Sequence, residues 1–182
     1  MTSALRPIAS AAELPSVPWA NGAGSTIELV SLDASAQLTP DLPRWRASIA
    51  TLEQPAEFSA LPGVRRIFRP IGSDLVLLID GTRHTVADGQ ACLFDGASMT
   101  GLVELDRPCR AVNLMIAAPE APVAAAEVVV AGSSSAPEPV VDGTFALTLG
   151  DSHLGPGFTL LRTDEPAPGG MSEHAGVPVL RF

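Results

Sequence analysis

Glu28, Arg46, Ser48, Arg66 and Asn113 interrupt stretches of the chain that otherwise read as strands with apolar positions. A guanidinium presents a planar fork of N–H donors that grips a carboxylate two bonds at a time. Hydroxyl and amide groups add neutral hydrogen bonds that orient what is gripped. Two placements are open for such residues. They can form the solvated face of a half-buried antiparallel sheet, or they can point inward and line a small polar cavity. Arg46 and Ser48 share their strand face with Ala50 and Leu52, and Asn113 shares its face with Ala111 and Met115, companions poorly suited to water. An arginine taken inside needs a negative partner, because a buried charge left alone costs roughly 3–5 kcal/mol. Glu28 or an acidic ligand would be that partner.

Other chemistry finds less support. His84, His153 and His174 are far apart, with no H-x-H pair and no Cys or carboxylate at ligand spacing, so no metal is expected. Gly22-Ala23-Gly24 lacks the lysine and following helix of a phosphate loop, and Gly155-Pro156-Gly157 reads as a turn. A G-x-S-x-G elbow is absent. No cofactor is expected.

The elements that must position the polar set are short. Between Arg44 and Ile116 the sequence breaks into brief apolar runs separated by Gly, Pro, Asp and Asn, and six or seven strands are expected there. Residues 44–52 alternate, Trp45, Ala47, Ile49 and Thr51 facing one way and Arg46, Ser48, Ala50 and Leu52 the other. Residues 25–32 also alternate, Thr26, Glu28 and Val30 against Ile27, Leu29 and Ser31. Asp80-Gly81 predicts a type I′ hairpin between strands 74–79 and 82–86. Residues 18–24 form a loop in which Asn21-Gly22 permits a tight turn, and Trp19 is either a plug or a ligand wall. Residues 55–63, with Phe58, read as an ordered loop closing over something. Residues 34–43 and 119–126 are expected to be connections and 132–139 a mobile Ser/Pro-rich loop. No amphipathic helix is expected, and the fold class is all-β.

Composition narrows the setting. One domain, or two small ones sharing a core, fits 182 residues. The formal charge of −9 argues against nucleic acid and against an anionic membrane. All 11 basic residues are arginine, a usage from which no function follows. Cys92 and Cys109 lie inside expected strands without CxxC spacing and read as free buried thiols of a reducing compartment. Neither a signal peptide nor a membrane span is expected, which points to the cytoplasm.

Pro18 to Glu28, Trp45 to Ala50 and Phe58 to Arg66, followed by Phe94-Asp95-Gly96 and Asn113-Leu114-Met115, resemble the HutD/Ves family in the same order. The resemblance covers residues 5–118 well and the C-terminal third loosely. It implies a cupin-type antiparallel β-barrel (a double-stranded β-helix) in a bicupin arrangement. The main barrel would span 18–118, and a smaller, less regular one 119–182 with N-terminal strand contributions. It further implies a bacterial protein of histidine utilisation that binds a carboxylate such as N-formylglutamate and restrains flux without known catalysis. Carried over residue by residue, it falls on Trp19, Asn21, Thr26, Glu28, Arg46, Ser48, Phe58, Arg66, Phe94, Asp95 and Asn113. This chain departs from the family at Ala20, Ala23, Arg65 and Ala111.

These readings combine into a metal-free sensor in which Arg46 clamps a small carboxylate, Ser48 and Asn113 orient it, and Trp19 and Phe58 exclude water. The expected ligand is formylglutamate-like or formate-like, and a homodimer is compatible with the sequence. A rival reading is an enzyme with Glu28 as general base. It ranks second because a neighbouring guanidinium favours the ionised carboxylate, away from the neutral range a base needs. A third is an interaction module that docks a partner through loop 132–139.

Overall fold

The computed structural model describes residues 6–118, 126–129, 144–153, 155–163, 170–174 and 177–181. In chain order the elements are β1 (Arg6–Ser10), β2 (Ser16–Pro18), β3 (Gly24–Val30), α1 (Leu32–Leu38), β4 (Trp45–Leu52), β5 (Ala56–Glu57), β6 (Val64–Ile71), β7 (Leu75–Ile79) and β8 (Thr82–Val86). Then come β9 (Ala91–Asp95), β10 (Thr100–Leu105), β11 (Cys109–Ala117), β12 (Glu127–Val129), β13 (Phe145–Thr148), β14 (Thr159–Arg162), β15 (Gly170–His174) and β16 (Val177–Arg181). They divide between two compact units, Ser16–Val130 and the remainder, Met1–Pro15 with Ala131–Phe182.

In the larger unit the pairings are nested: β7 with β8, β6 with β9, β5 with β10, β4 with β11. That is one long antiparallel hairpin, and its tip is the Asp80-Gly81 turn, where φ is +48° and +83°. Positive φ at both central residues is what a type I′ turn requires. Coiled on itself, the hairpin lays its strands alternately into two sheets, β12-β9-β6-β11-β4-β3-β2 and β5-β10-β7-β8. This nested winding is the cupin-type double-stranded β-helix. The two sheets share no strand among the described residues, so the unit is an open jelly roll rather than a hydrogen-bonded closed wall. Between them lies a core that includes Leu52, Phe68, Leu77, Val86, Phe94 and Leu102.

The β4–β11–β6 centre of the large sheet is buried on both faces. Trp45, Ile49, Val112 and Leu114 point away from the inter-sheet core yet are buried. Helix α1 accounts for Trp45, whose indole N–H donates to Thr39 Oγ1 at 2.9 Å and whose backbone N–H donates to Ser35 Oγ at 3.0 Å. The expectation of an irregular connection over 34–43 is corrected here for its first half. Ser31 caps the helix by accepting from Ala34 N at 3.1 Å, and Asp33 lies in the first turn. Seven residues are too few for a 3.6-residue periodicity to show, so only the cap could have signalled it.

The smaller unit is a five-stranded antiparallel sheet, β1-β14-β13-β16-β15, whose buried residues include Phe145, Leu147, Leu160 and Leu161. Residues 119–125 and the loop 132–139 lie outside the described residues. Both cysteines are free and buried. His84, just after the hairpin turn, is half-buried.

Candidate functional site

Pairing register places the polar residues in rows across the large sheet. One row runs Arg46–Met115–Arg66, from β4 through β11 to β6. The next runs Glu28–Ser48–Asn113–Phe68, the one after Thr26–Ala50–Ala111, and the last Gly24–Leu52–Cys109. Side chains two residues apart on a strand share a face, so these rows form one wall. A cavity of about 650 Å³ opens against it, lined among others by Trp19, Asn21, Arg46, Ser48, Phe58, Arg66 and Asn113. Of the two placements open to Arg46, Ser48, Arg66 and Asn113, the inward one is realised.

Arg46 and Arg66 differ in what surrounds them. Arg46 is a quarter exposed and already carries a carboxylate, since its Nε donates to Glu28 Oε2. A bulge between Glu28 and Val30 breaks the alternation of β3, leaving Leu29 and Val30 both buried. Bulges re-aim side chains in this way. Arg46 Nη1 also lies 3.4 Å from Ser48 Oγ.

Arg66 is 6% exposed. Its Nη2 donates to Asn113 Oδ1 at 3.1 Å and its Nη1 to the Ser59 carbonyl at 3.4 Å, while its buried Nε has no partner among the described residues. The guanidinium carbon stands 5.5 Å from the Phe58 ring centroid and 5.1 Å from that of Phe94. Two aromatic faces and two neutral oxygens stabilise the cation, but no carboxylate among the described residues pairs with it. Burial, and then the charge of Arg46, lowers the Arg66 pKa to about 10. Arg46 thus has Glu28 for its carboxylate partner, one of the two partners expected for it, whereas Arg66 is buried with no carboxylate partner among the described residues.

Loop 55–63 covers the wall and is held by a close approach. Leu61 N donates to the Gly96 carbonyl at 2.6 Å, and Gly96 N to the Val64 carbonyl at 2.8 Å. A Cβ on Gly96 would lie 2.2 Å from the Leu61 carbonyl oxygen and 2.6 Å from Val64 Cγ2. Gly24 plays a similar part at the other end, where a Cβ would meet the Thr51 carbonyl at 2.2 Å and the Trp19 ring at 3.2 Å. Trp19 Nε1 donates to Thr26 Oγ1 at 2.8 Å, and its ring meets Phe58 edge-on with centroids 6.1 Å apart. Trp19 is thus a cavity wall.

Three candidates sit off the cavity surface. Phe94 is buried beneath the Arg66 guanidinium and is not among the lining residues. Asp95 turns away to accept from Ala97 N at 2.7 Å, stabilising the turn before β10. Glu28 acts only through Arg46. Asn21 lines the cavity while its Oδ1 accepts from Ala23 N at 3.0 Å, a side-chain turn that shapes the loop. Met115, centred in the charged row, was missed as a lining residue of note; only register could show that it separates two arginines.

Together, the nested jelly roll and its polar cavity define an all-β protein of cupin type. The chain belongs to the HutD family, whose model matches residues 11–152. Protein Ves of Citrobacter koseri is 35% identical over 89 residues, 48% of this chain and 44% of that protein. An uncharacterized 21.2 kDa protein from the hutC 3′ region of Pseudomonas putida is 34% identical over 109 residues, 59% of this chain and 56% of that protein. The matched stretch thus spans about half the length of these relatives. HutD from Pseudomonas fluorescens SBW25, in a formate condition, superposes with a TM-score of 0.61 at 25% identity, covering 98% of this chain and 95% of that one. A conserved protein of unknown function, PA5104 of Pseudomonas aeruginosa PAO1, shares the fold at a TM-score of 0.61 and 23% identity, over 98% and 90% of the two chains. Among the described residues no helix is long and apolar enough to cross a membrane.

Proposed function

We propose that this chain is a carboxylate-binding regulatory protein of histidine catabolism, acting in the cytoplasm without catalysing a reaction. Arg66 would be the principal hydrogen-bond donor to the ligand's carboxylate, Asn113 and Ser48 would orient the ligand, and Arg46 would assist from the same row. The single observation that carries the reading is Arg66, a buried guanidinium on a cavity wall with no carboxylate partner among the described residues. The protein forgoes an internal neutralising group there, and a ligand supplies one. The formate-condition structure of the P. fluorescens relative and the hutC-region origin of the P. putida relative support the carboxylate and the pathway. N-formylglutamate or a related small acid of that pathway is the proposed ligand.

Calorimetric titration with formate, acetate and N-formylglutamate tests this, using Arg66→Met as control. Binding by the wild type and its loss in a folded Arg66→Met protein are expected; equal affinity in both would sink the reading. The enzymatic alternative gains nothing from the geometry, because Glu28 is held by Arg46 and does not line the cavity.

A further inference from the structure

Glu28 is bonded to a cavity residue without lining the cavity itself. It stands opposite Ser48 in the β3–β4 register, one step along the same face from Arg46. Its Oε2 accepts from Arg46 Nε, which fixes the plane of the guanidinium and the edge that meets β3. In a planar guanidinium Nη1 points away from the Nε–H edge. Here Nη1 lies 3.4 Å from Ser48 Oγ and 3.9 Å from Met115 Sδ, on two residues that line the cavity. One edge of Arg46 is tied off the cavity surface while the other is turned into it.

Without that tie Arg46 would be drawn outward. Its side chain is 25% exposed, so water is within reach. Arg66 carries a like charge in the same row, and the two repel: after burial, the charge of Arg46 is what lowers the Arg66 pKa. The inward contacts of Nη1 are a long bond to a hydroxyl and one to a thioether, weaker acceptors than a carboxylate. An arginine side chain held by these alone keeps several rotamers open, and fixing one of them costs entropy. Glu28 is the strong partner, and it selects the rotamer aimed at the cavity.

We propose that Glu28 is a positioning residue, holding Arg46 so that its Nη1 edge gives the cavity a second seat for ligand oxygens beside Arg66. This rests on the proposed carboxylate site and assigns it a second end. Met115 separates the two guanidiniums in the row, and the strands that carry them lie two interstrand steps apart, roughly 10 Å. The acid such a site favours carries a carboxylate for Arg66 and a further acceptor, a second carboxylate or a carbonyl, at its other end. Acetate has no second end and engages Arg66 alone.

Calorimetric titration of the intact protein with acetate and with glutarate tests this. The variants are Glu28→Ala, Glu28→Gln, Arg46→Ala and the double variant Glu28→Ala/Arg46→Ala. Glutarate affinity should fall about fivefold in Glu28→Ala, the scale of a half-exposed ion pair, and acetate affinity by less. Glu28→Gln keeps an acceptor for Nε and should restore most of the loss. In the Arg46→Ala background Glu28→Ala should change nothing further, the mark of a residue that acts through another. Glu28→Asp, one methylene shorter, gives the same test should the alanine variant not fold. Tighter glutarate binding in Glu28→Ala would mean that Glu28 competes with the ligand for Arg46, and it overturns the inference. Unchanged affinity, or an equal loss for both acids, overturns it too and leaves the carboxylate site standing. Failure of both acids to bind the wild type overturns both.

Discussion

Arg66 Nη2 donates to Asn113 Oδ1 at 3.1 Å, so a neutral amide occupies the place where a carboxylate would cancel the buried charge. Asparagine and aspartate have nearly the same shape, which makes the substitution Asn113→Asp informative. It should give a folded protein with an internal ion pair and a higher Tm, while carboxylate affinity falls at least tenfold. Paired thermal melts and calorimetry check it; retained binding would show that Arg66 is not what holds the carboxylate.

Removing the cation itself should have a different signature. Arg66→Met takes away a buried charge that lacks a counter-ion, and such replacements are often stabilising by about 1–4 kcal/mol. At roughly 2–4 °C per kcal/mol for a chain of this size, Tm at pH 7 should rise by several degrees. Binding should be lost, whereas Arg46→Ala should weaken it less, because Arg46 is already paired with Glu28.

The pH dependence of Arg66 has a definite sign. Its pKa is lowered by burial, and then by Arg46, from the ordinary guanidinium value to about 10. Between those values the unfolded chain holds the proton that the folded protein has released, so this residue makes stability rise with pH there. The difference in stability between wild type and Arg66→Met should therefore shrink as pH climbs past about 10. Carboxylate affinity should hold below that pH and decline above it. A difference curve that stays flat to pH 12 would contradict the assigned environment.

Loop 55–63 depends on Gly96. Gly96→Ala puts a methyl 2.2 Å from the Leu61 carbonyl oxygen, so the loop must move, at a cost of about 1–3 kcal/mol for such overpacking. Faster amide exchange at Phe58, Ser59 and Leu61 and weaker carboxylate binding are expected. Asp95→Ala, one residue away, should cost only the turn bond to Ala97 N, about 1 kcal/mol, and leave affinity unchanged.

Burial raises the Cys92 pKa from 9.0 to about 12 and raises that of Cys109, with Asp88 adding to the latter. Both thiols keep their protons in the folded protein where the unfolded chain loses them, so their contribution is present below pH 9.0 and is lost as pH rises, for Cys92 toward about 12. Native protein at pH 8 should react negligibly with a thiol reagent, and two thiols should react on unfolding. Rapid modification of the folded protein would contradict their burial.

Much of the fold was legible because strand faces follow a period of two. Alternation on residues 44–52 put Arg46, Ser48, Ala50 and Leu52 on one side, and the Asp80-Gly81 pair fixed the hairpin tip from which the nested pairing grows. Family resemblance pointed to the cupin-type winding that the strand order bears out. Short elements escaped: α1 is under two full turns long, and the bulge at Leu29 offsets the alternation of β3 without a Gly or Pro to announce it.

Residue types and spacing alone determined that two arginines, a serine and an asparagine could face one interior. Which arginine is satisfied was settled only in three dimensions. Glu28 reaches Arg46 because β3 pairs with β4 so that Glu28 stands opposite Ser48, one step along the same face, and Arg66 ends between two phenylalanine rings because β6 pairs with β9, which carries Phe94, while loop 55–63 brings Phe58. Charge compensation depends on which groups meet across strands distant in sequence, and local pattern carries no record of that meeting.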